Sequence, residues 1–147
     1  MIDIFPKIFS DVLDAVTAVN PKANVTDVTA ETMASYPAVI VREISNVPLR
    51  QTATAESCEN HSRITVDLDV RSNKKQQPKA EAKALFQAAE AALYNLFFTR
   101  ISGRPIPAED RTIYRMYGQY EVICEAPIED GQNTVYKLYR RFRRSSL

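Results

Sequence analysis

His61 is the only histidine in the chain, and it lies beside Cys58 and Glu59. A thiol and an imidazole this close suggest a nucleophile with its base. That chemistry also needs a third group to hold the base in place, and nothing around Cys58, Glu59, Asn60 and His61 forms such a motif. A solvent-facing histidine at a strand start is the simpler reading. Taken as metal ligands, Cys58-x-x-His61 gives two donors and Cys124 a third. A structural zinc site wants four, usually in paired short spacings, so two buried or half-buried thiols fit better. Asp67 and Asp69 fall on one face of an alternating segment. Paired carboxylates can serve as acid and base or hold a divalent cation. Here they alternate with Thr65 between Arg63 and Arg71, which points to charge pairing on an exposed or interfacial face. An enzyme would have to draw on His61, Asp67 and Asp69. The expectation is instead no enzyme, no metal and no cofactor.

Aromatic and basic residues interleave in Arg111–Tyr120 (RTIYRMYGQY) and Val135–Arg144 (VYKLYRRFRR). Tyrosines stacked between arginines are what single-stranded nucleic-acid platforms use. The same residues are enriched at protein interfaces, and a net charge of only +1 favours the interface. Lys137, Arg140, Arg141, Arg143 and Arg144 place +5 in eight residues, leaving the other 139 at −4. That tail, 137–147, is a candidate contact for DNA or an acidic partner, or simply a solvated terminus. Gly103, Gly118 and Gly131 are the only glycines and stand far apart. Phosphate-cradling loops need clustered glycines, so nucleotide- and dinucleotide-binding loops are excluded.

The elements that position these residues show in the hydrophobic rhythm. Ile2, Phe5, Ile8, Phe9, Val12, Leu13 and Val16 recur at spacings of three and four, which predicts an amphipathic helix ending near Asn20-Pro21. Asn24–Thr29 is a short strand or an ordered loop. Pro37–Ile44 predicts a strand, and the consecutive Val39, Ile40 and Val41 predict that both its faces are covered. Arg63–Arg71 alternates strictly, with Ile64, Val66, Leu68 and Val70 on one side. Pro78 suits a helix start, and Leu85, Ala88, Ala89, Ala92, Leu93, Leu96 and Phe97 then form one stripe, with Glu81, Lys83, Glu90 and Asn95 outward. Arg111–Glu125 predicts a long strand on which Tyr114, Met116, Tyr120, Val122 and Cys124 share a face. Gly118 at its centre suggests a bulge or a close backbone approach. Thr134–Tyr139 fits either helix or strand, with a hairpin partner for the preceding strand preferred.

At 147 residues the chain is expected to be a single domain, 1–147, with candidate mobile loops at 45–60 and 100–110. A chain of this length buries roughly 70% of its unfolded surface and needs no disulfide or metal to hold together. The first ten residues lack the apolar core of a secretory signal, so the thiols are expected to be reduced in a cytosolic setting. No stretch approaches the ~20 apolar residues of a membrane span. The expected fold is α+β: a two-layer sandwich of a mostly antiparallel sheet, about four to five strands, with the N-terminal helix and the long Ala-rich helix on one face.

Three segments resemble the tail terminator (tail completion) proteins of long-tailed bacteriophages. They are Tyr36–Glu43 (YPAVIVRE) after an N-terminal helix, Ile64–Asp69 followed by a polar break and the Ala-rich helix, and Thr112–Val122 (TIYRMYGQYEV). Thr134–Arg140 is similar to the family's short final strand. Ser45–Asn60 and Arg100–Asp110 have no counterpart. The resemblance implies a non-enzymatic virion protein of the tail or neck, present in the host cytoplasm during assembly. It implies a homo-oligomeric ring, commonly hexameric, that ends tail-tube polymerisation and whose subunits can stay monomeric until they meet a growing tail. Its partners would be the tail tube protein and the head–tail connector protein, with DNA passing through the centre and no membrane involved.

A closed ring needs two complementary patches on each subunit. Arg63, Thr65, Asp67, Asp69 and Arg71 form one candidate; Arg115, Tyr117, Gln119 and Glu121 form another. The loop around Leu49, Arg50 and Gln51 is a third element able to reach a neighbour or the tube. Another phage neck or connector protein, and a small nucleic-acid-binding module using the basic C-terminus, remain the alternatives.

Overall fold

The computed structural model describes residues 1–28, 33–50, 60–108, 111–130 and 133–140. The elements are α1 (Phe5–Val19), β1 (Asn24–Thr26), β2 (Ala38–Pro48), β3 (His61–Ser72), α2 (Pro78–Asn95), β4 (Thr99–Pro105), β5 (Tyr114–Glu125), β6 (Ile128–Asp130), β7 (Asn133–Val135) and β8 (Leu138–Tyr139). The main sheet runs β1-β2-β3-β5-β4, with β8 also on β5; β6 and β7 form a separate pair. β1 is parallel to β2 and every other pairing is antiparallel. The fold is α+β, as expected, with a sheet somewhat larger than expected.

α1 starts one turn later than its apolar spacing suggests. The Asp3 carboxylate accepts the Phe5 N–H at 3.2 Å, and Pro6 occupies the first turn, where its missing N–H costs nothing. Ile2 and Ile4 are buried from the extended lead-in, while Ile8, Val12 and Val16 form the buried helix stripe. The helix stops at Asn20 before Pro21. α2 buries Ala82, Leu85, Phe86, Ala89, Ala92 and Leu93. Its apolar side chains contribute about 1.5–3 kcal/mol each when fully buried. Both helices share a core with Val39, Val41, Ile64, Val66, Leu68, Val70, Tyr120, Val122 and Cys124 on one face of the sheet.

The stripe on α2 differs from expectation at its end. Phe98 donates to the Leu93 carbonyl (3.1 Å) and Phe97 to that of Tyr94 (3.0 Å), the paired bonds of a Schellman stop. Phe97 takes the left-handed conformation, φ 65°, usually left to glycine. Its ring turns outward, and Phe98 enters the core instead.

Two expected loops are partly strand. β2 continues through Ser45–Pro48, past a bulge between Glu43 and Ser45 that breaks the alternation. Thr99–Pro105, all but its first residue inside the expected loop 100–110, is an edge strand on β5. Backbone ladder bonds hold it, so it needs no apolar stripe. Residues 51–59 and 109–110 of those two loops lie outside the described residues. At the C-terminus the hairpin-partner reading of Thr134–Tyr139 holds in part: Leu138–Tyr139 pairs with β5 at Cys124 and Ile123, whereas Thr134 and Val135 pair with β6.

Candidate functional site

The face of the sheet opposite the helices carries the charged residues singled out from the sequence. Antiparallel register decides which of them meet. Asp67 sits opposite Arg42 on β2 and Gln119 on β5; Asp69 sits opposite Tyr117, and Arg71 opposite Arg115. Directly opposed residues point to the same side. Met33 and Tyr36 cover Ala38 and Ile40 at one end of this face, with the Tyr36 hydroxyl accepting the Met33 N–H at 3.3 Å.

Each carboxylate is clamped. Asp67 accepts from Arg42 through Nε at 3.1 Å and also through Nη2, and from the Tyr117 hydroxyl at 3.2 Å. Gln119 Nε2 donates to that hydroxyl at 2.9 Å. Asp69 accepts from Arg115 Nε at 3.0 Å, from Arg115 Nη2 at 2.6 Å and from Arg71 Nη2 at 3.1 Å. These are the fork-on-carboxylate contacts for which arginine is suited. Hydrogen bonding to Asp67 raises the Arg42 pKa, and hydrogen bonding to Asp69 raises that of Arg115. Burial pushes the Tyr117 hydroxyl up. The arrangement ties both carboxylates to arginines, and Asp67 to a phenol as well.

This corrects the two-patch expectation. Asp67, Asp69 and Arg71 are 1%, 3% and 5% exposed, not solvated, and Glu121 is buried too. β3 and β5 are neighbours in register, so the two candidate patches are one surface whose charges pair with each other. Arg42 and Arg115 form its outer layer, with side chains 40% and 26% exposed. Arg63, Thr65, Tyr117 and Gln119 are half-buried. Leu49 is half-buried, and its N–H donates to the His61 carbonyl at 2.8 Å; Arg50 is exposed. Lys137 and Arg140 are exposed, with the Arg140 guanidinium 5.6 Å from the centre of the Phe97 ring. Gln51, Arg141, Arg143, Arg144 and Cys58 lie outside the described residues.

The remaining candidates are apart. His61 is half-buried, its ring 6.1 Å from that of Tyr139. Cys124 is buried on the helix side, and burial, with a smaller push from Glu125, moves its thiol up to about 11. Among the described residues no group of three His, Cys, Asp or Glu side chains is placed to hold a metal.

One cluster was not read from the sequence. Glu90, expected on the outer surface of α2, accepts the Tyr120 hydroxyl at 2.9 Å and lies 3.7 Å from Arg100. Burial and this carboxylate push the Tyr120 hydroxyl far up. Tyr94 meets the Tyr120 ring edge-on at 6.2 Å. An open groove of about 420 Å³ passes Glu90, Tyr94, Arg100, Phe86 and Met116. Gly118 was the available signal: a Cβ there would stand 2.9 Å from the Phe86 ring and 3.1 Å from Tyr120. What comes close to it is a pair of aromatic side chains, neither the bulge nor the second backbone that its position suggested.

No family model matches the chain, and no curated protein matches it. Among solved structures it is similar to the sheath/tube terminator, in the extended state, of the PVC extracellular contractile injection system, seen by cryo-electron microscopy. The identity is 15% and the TM-score 0.37, over 94% of this chain and 64% of that one. The chain thus spans a little under two thirds of that neighbour's length. At this TM-score the likeness carries no argument about what the chain does.

Proposed function

We propose that the chain is a non-enzymatic subunit of a phage-type tail that ends the tail tube and presents the joining surface for the head connector. In this reading copies close into a ring, commonly a hexamer, that meets the tail tube protein on one side and the connector on the other. DNA passes through its centre. The particle tail is its site of action, with the host cytoplasm as the place of assembly.

One observation carries the reading. The segments that resemble tail terminators, Tyr36–Glu43, Ile64–Asp69 and Thr112–Val122, fall on β2, β3 and β5, which are successive strands at the middle of one sheet. The resemblance therefore follows one contiguous slab of the molecule. Within that slab the carboxylates are tied to arginines, which suits a scaffold for docking.

Electron microscopy of the purified chain mixed with polymerising tail tubes tests the reading. Short tubes capped at one end are expected, with tube length falling as the chain is added. Tubes that grow to the same length with bare ends would sink it.

A further inference from the structure

The main sheet ends on two unlike edges. β4 is paired on its inner side to β5, and no described strand lies on its outer side. Arg100–Pro105 are exposed throughout. The Ile106 N–H donates to the Arg115 carbonyl at 3.0 Å, which sets the phase of the ladder. Inward- and outward-pointing backbone groups alternate along an antiparallel strand. Arg104 therefore turns its backbone toward β5, while Gly103 and Pro105 turn theirs outward. Pro105 has no N–H to offer, and Gly103 has no side chain to hold an incoming strand away. Ile101, at the bulge, is 50% exposed. The charged side chains of this strand are Arg104 and Arg100, the latter 3.7 Å from Glu90.

The opposite edge carries acids. β1 covers β2 only at Ala38–Ile40, so no described strand pairs with the outer side of Val41–Pro48. Asp27 is exposed just past β1, and Glu43 on β2 is half-buried. The Asn46 side-chain amide donates to the Ile2 carbonyl at 2.7 Å, which holds the lead-in and its exposed Asp3 beside the same edge. Lys22 is the cation nearest in sequence to β1, and Arg42 on β2 itself is tied to Asp67.

We infer that the outer edge of β4 docks against the β1–β2 edge of a second copy, continuing the sheet from subunit to subunit. Two β4 edges facing one another would bring arginines together, and like charges across a strand pair are destabilising. A basic edge meeting an acidic one is favoured instead, with main-chain bonds supplying the contact. The two edges lie at opposite ends of one sheet, so the contact is head-to-tail. Repeated, it closes into a ring or runs on as a filament, depending on the angle between copies. This inference rests on the assembly role proposed above and names the surface that would serve it.

Sedimentation velocity of the full chain over a concentration series, at low and high salt, tests it. Concentration-dependent association is expected, weaker at high salt because exposed charges are screened. Gly103→Pro removes the outward N–H and leaves the inward ladder untouched. Arg104→Glu reverses an exposed charge. Each is expected to weaken association by at least about tenfold, equivalent to ~1.4 kcal/mol. If Gly103→Pro does not fold, Arg104→Glu decides alone. A chain that stays monomeric up to about 1 mM, or folded variants that associate as tightly as the unmodified chain, would overturn the inference. The terminator reading fails separately: association through this edge with no effect on tubes removes that reading alone, and tube capping by variants that still associate normally removes this edge alone.

Discussion

From Asp67 to Arg71 the two faces of β3 are nearly equally dry, and they are dried by opposite means. Toward the helices it presents Ile64, Val66, Leu68 and Val70, all fully buried among apolar neighbours. On the other side Asp67, Asp69 and Arg71 are nearly as inaccessible, under a layer of arginine and tyrosine from β2 and β5. The apolar face gains stability from leaving water. The charged face loses solvation and recovers it only through complete pairing. It should therefore be the less tolerant of losing one member.

Asp69→Ala tests this with the largest expected effect. It leaves Arg71 and Arg115 without their shared carboxylate, and removing one partner of a buried pair costs about 3–5 kcal/mol. Leu68→Ala on the other face is expected to cost about 2–5 kcal/mol through lost transfer energy and a cavity. The two are told apart by adding Arg115→Ala, which should offset part of the Asp69→Ala loss and none of the Leu68→Ala loss. Urea unfolding midpoints measure all four proteins. If Asp69→Ala costs less than about 1 kcal/mol, the charged face behaves as ordinary solvated surface and the comparison fails.

The helix side has an ionisable group of its own in Cys124, and it responds to pH. Its thiol is raised from 9.0 to about 11, chiefly by burial. Below pH 9 the thiol is neutral folded or unfolded, and the stabilisation is fully present. Between 9 and 11 the unfolded chain ionises while the folded one does not, so stability falls as pH rises. The full shift corresponds to an order of 2–3 kcal/mol. Tyrosines and lysines titrate in the same window, so the informative quantity is the difference in slope between the chain and Cys124→Ala. Equal slopes would mean that the thiol is not held neutral by the core.

Gly118→Ala probes the packing of that side without any charge. The new methyl would stand 2.9 Å from Phe86 Cζ and 3.1 Å from two atoms of Tyr120, and overpacking of this kind costs about 1–3 kcal/mol. Phe86→Leu in the same chain should return part of the loss. A neutral Gly118→Ala with no response to Phe86→Leu would show that the two rings can shift aside.

Alternation in β3 identified which residues share a face, and the 3.6-residue stripe located α2 to within a few positions. Neither says whether a face is wet. That depends on Arg42 reaching Asp67 from 25 residues away and Arg115 reaching Asp69 from 46 away. Those contacts follow from strand order and register, which local pattern does not contain. β4 escaped for a related reason: Thr99–Pro105 is a strand because β5 lies beside it, not because of its own composition. The bulge at Ile44 likewise hid the continuation of β2. Gly118 was legible because a missing side chain in a strand of large residues already implies that something fills the gap.

The smallest effect concerns the end of the helix layer, where Phe98 is 2% exposed and Phe97 is 47% exposed. A side chain in the left-handed region costs roughly 1–2 kcal/mol, so Phe97→Gly should relieve strain at the helix stop. The stacked Arg140 is lost with the ring, which at an exposed site returns about 0.5–1 kcal/mol. The net expectation is a gain of between zero and about 1.5 kcal/mol. Phe97→Ala separates the two contributions, because it loses the ring and keeps the Cβ. It should be no more stable than the parent. If Phe97→Gly melts lower than Phe97→Ala, the backbone at this stop is not strained, and the outward ring contributes more to the fold than its exposure implies. The ring borders a groove of about 380 Å³ that Ile4, Leu96 and Leu138 also line, so the same pair of variants reads how much an outward ring adds to the packing at this end of the helix layer.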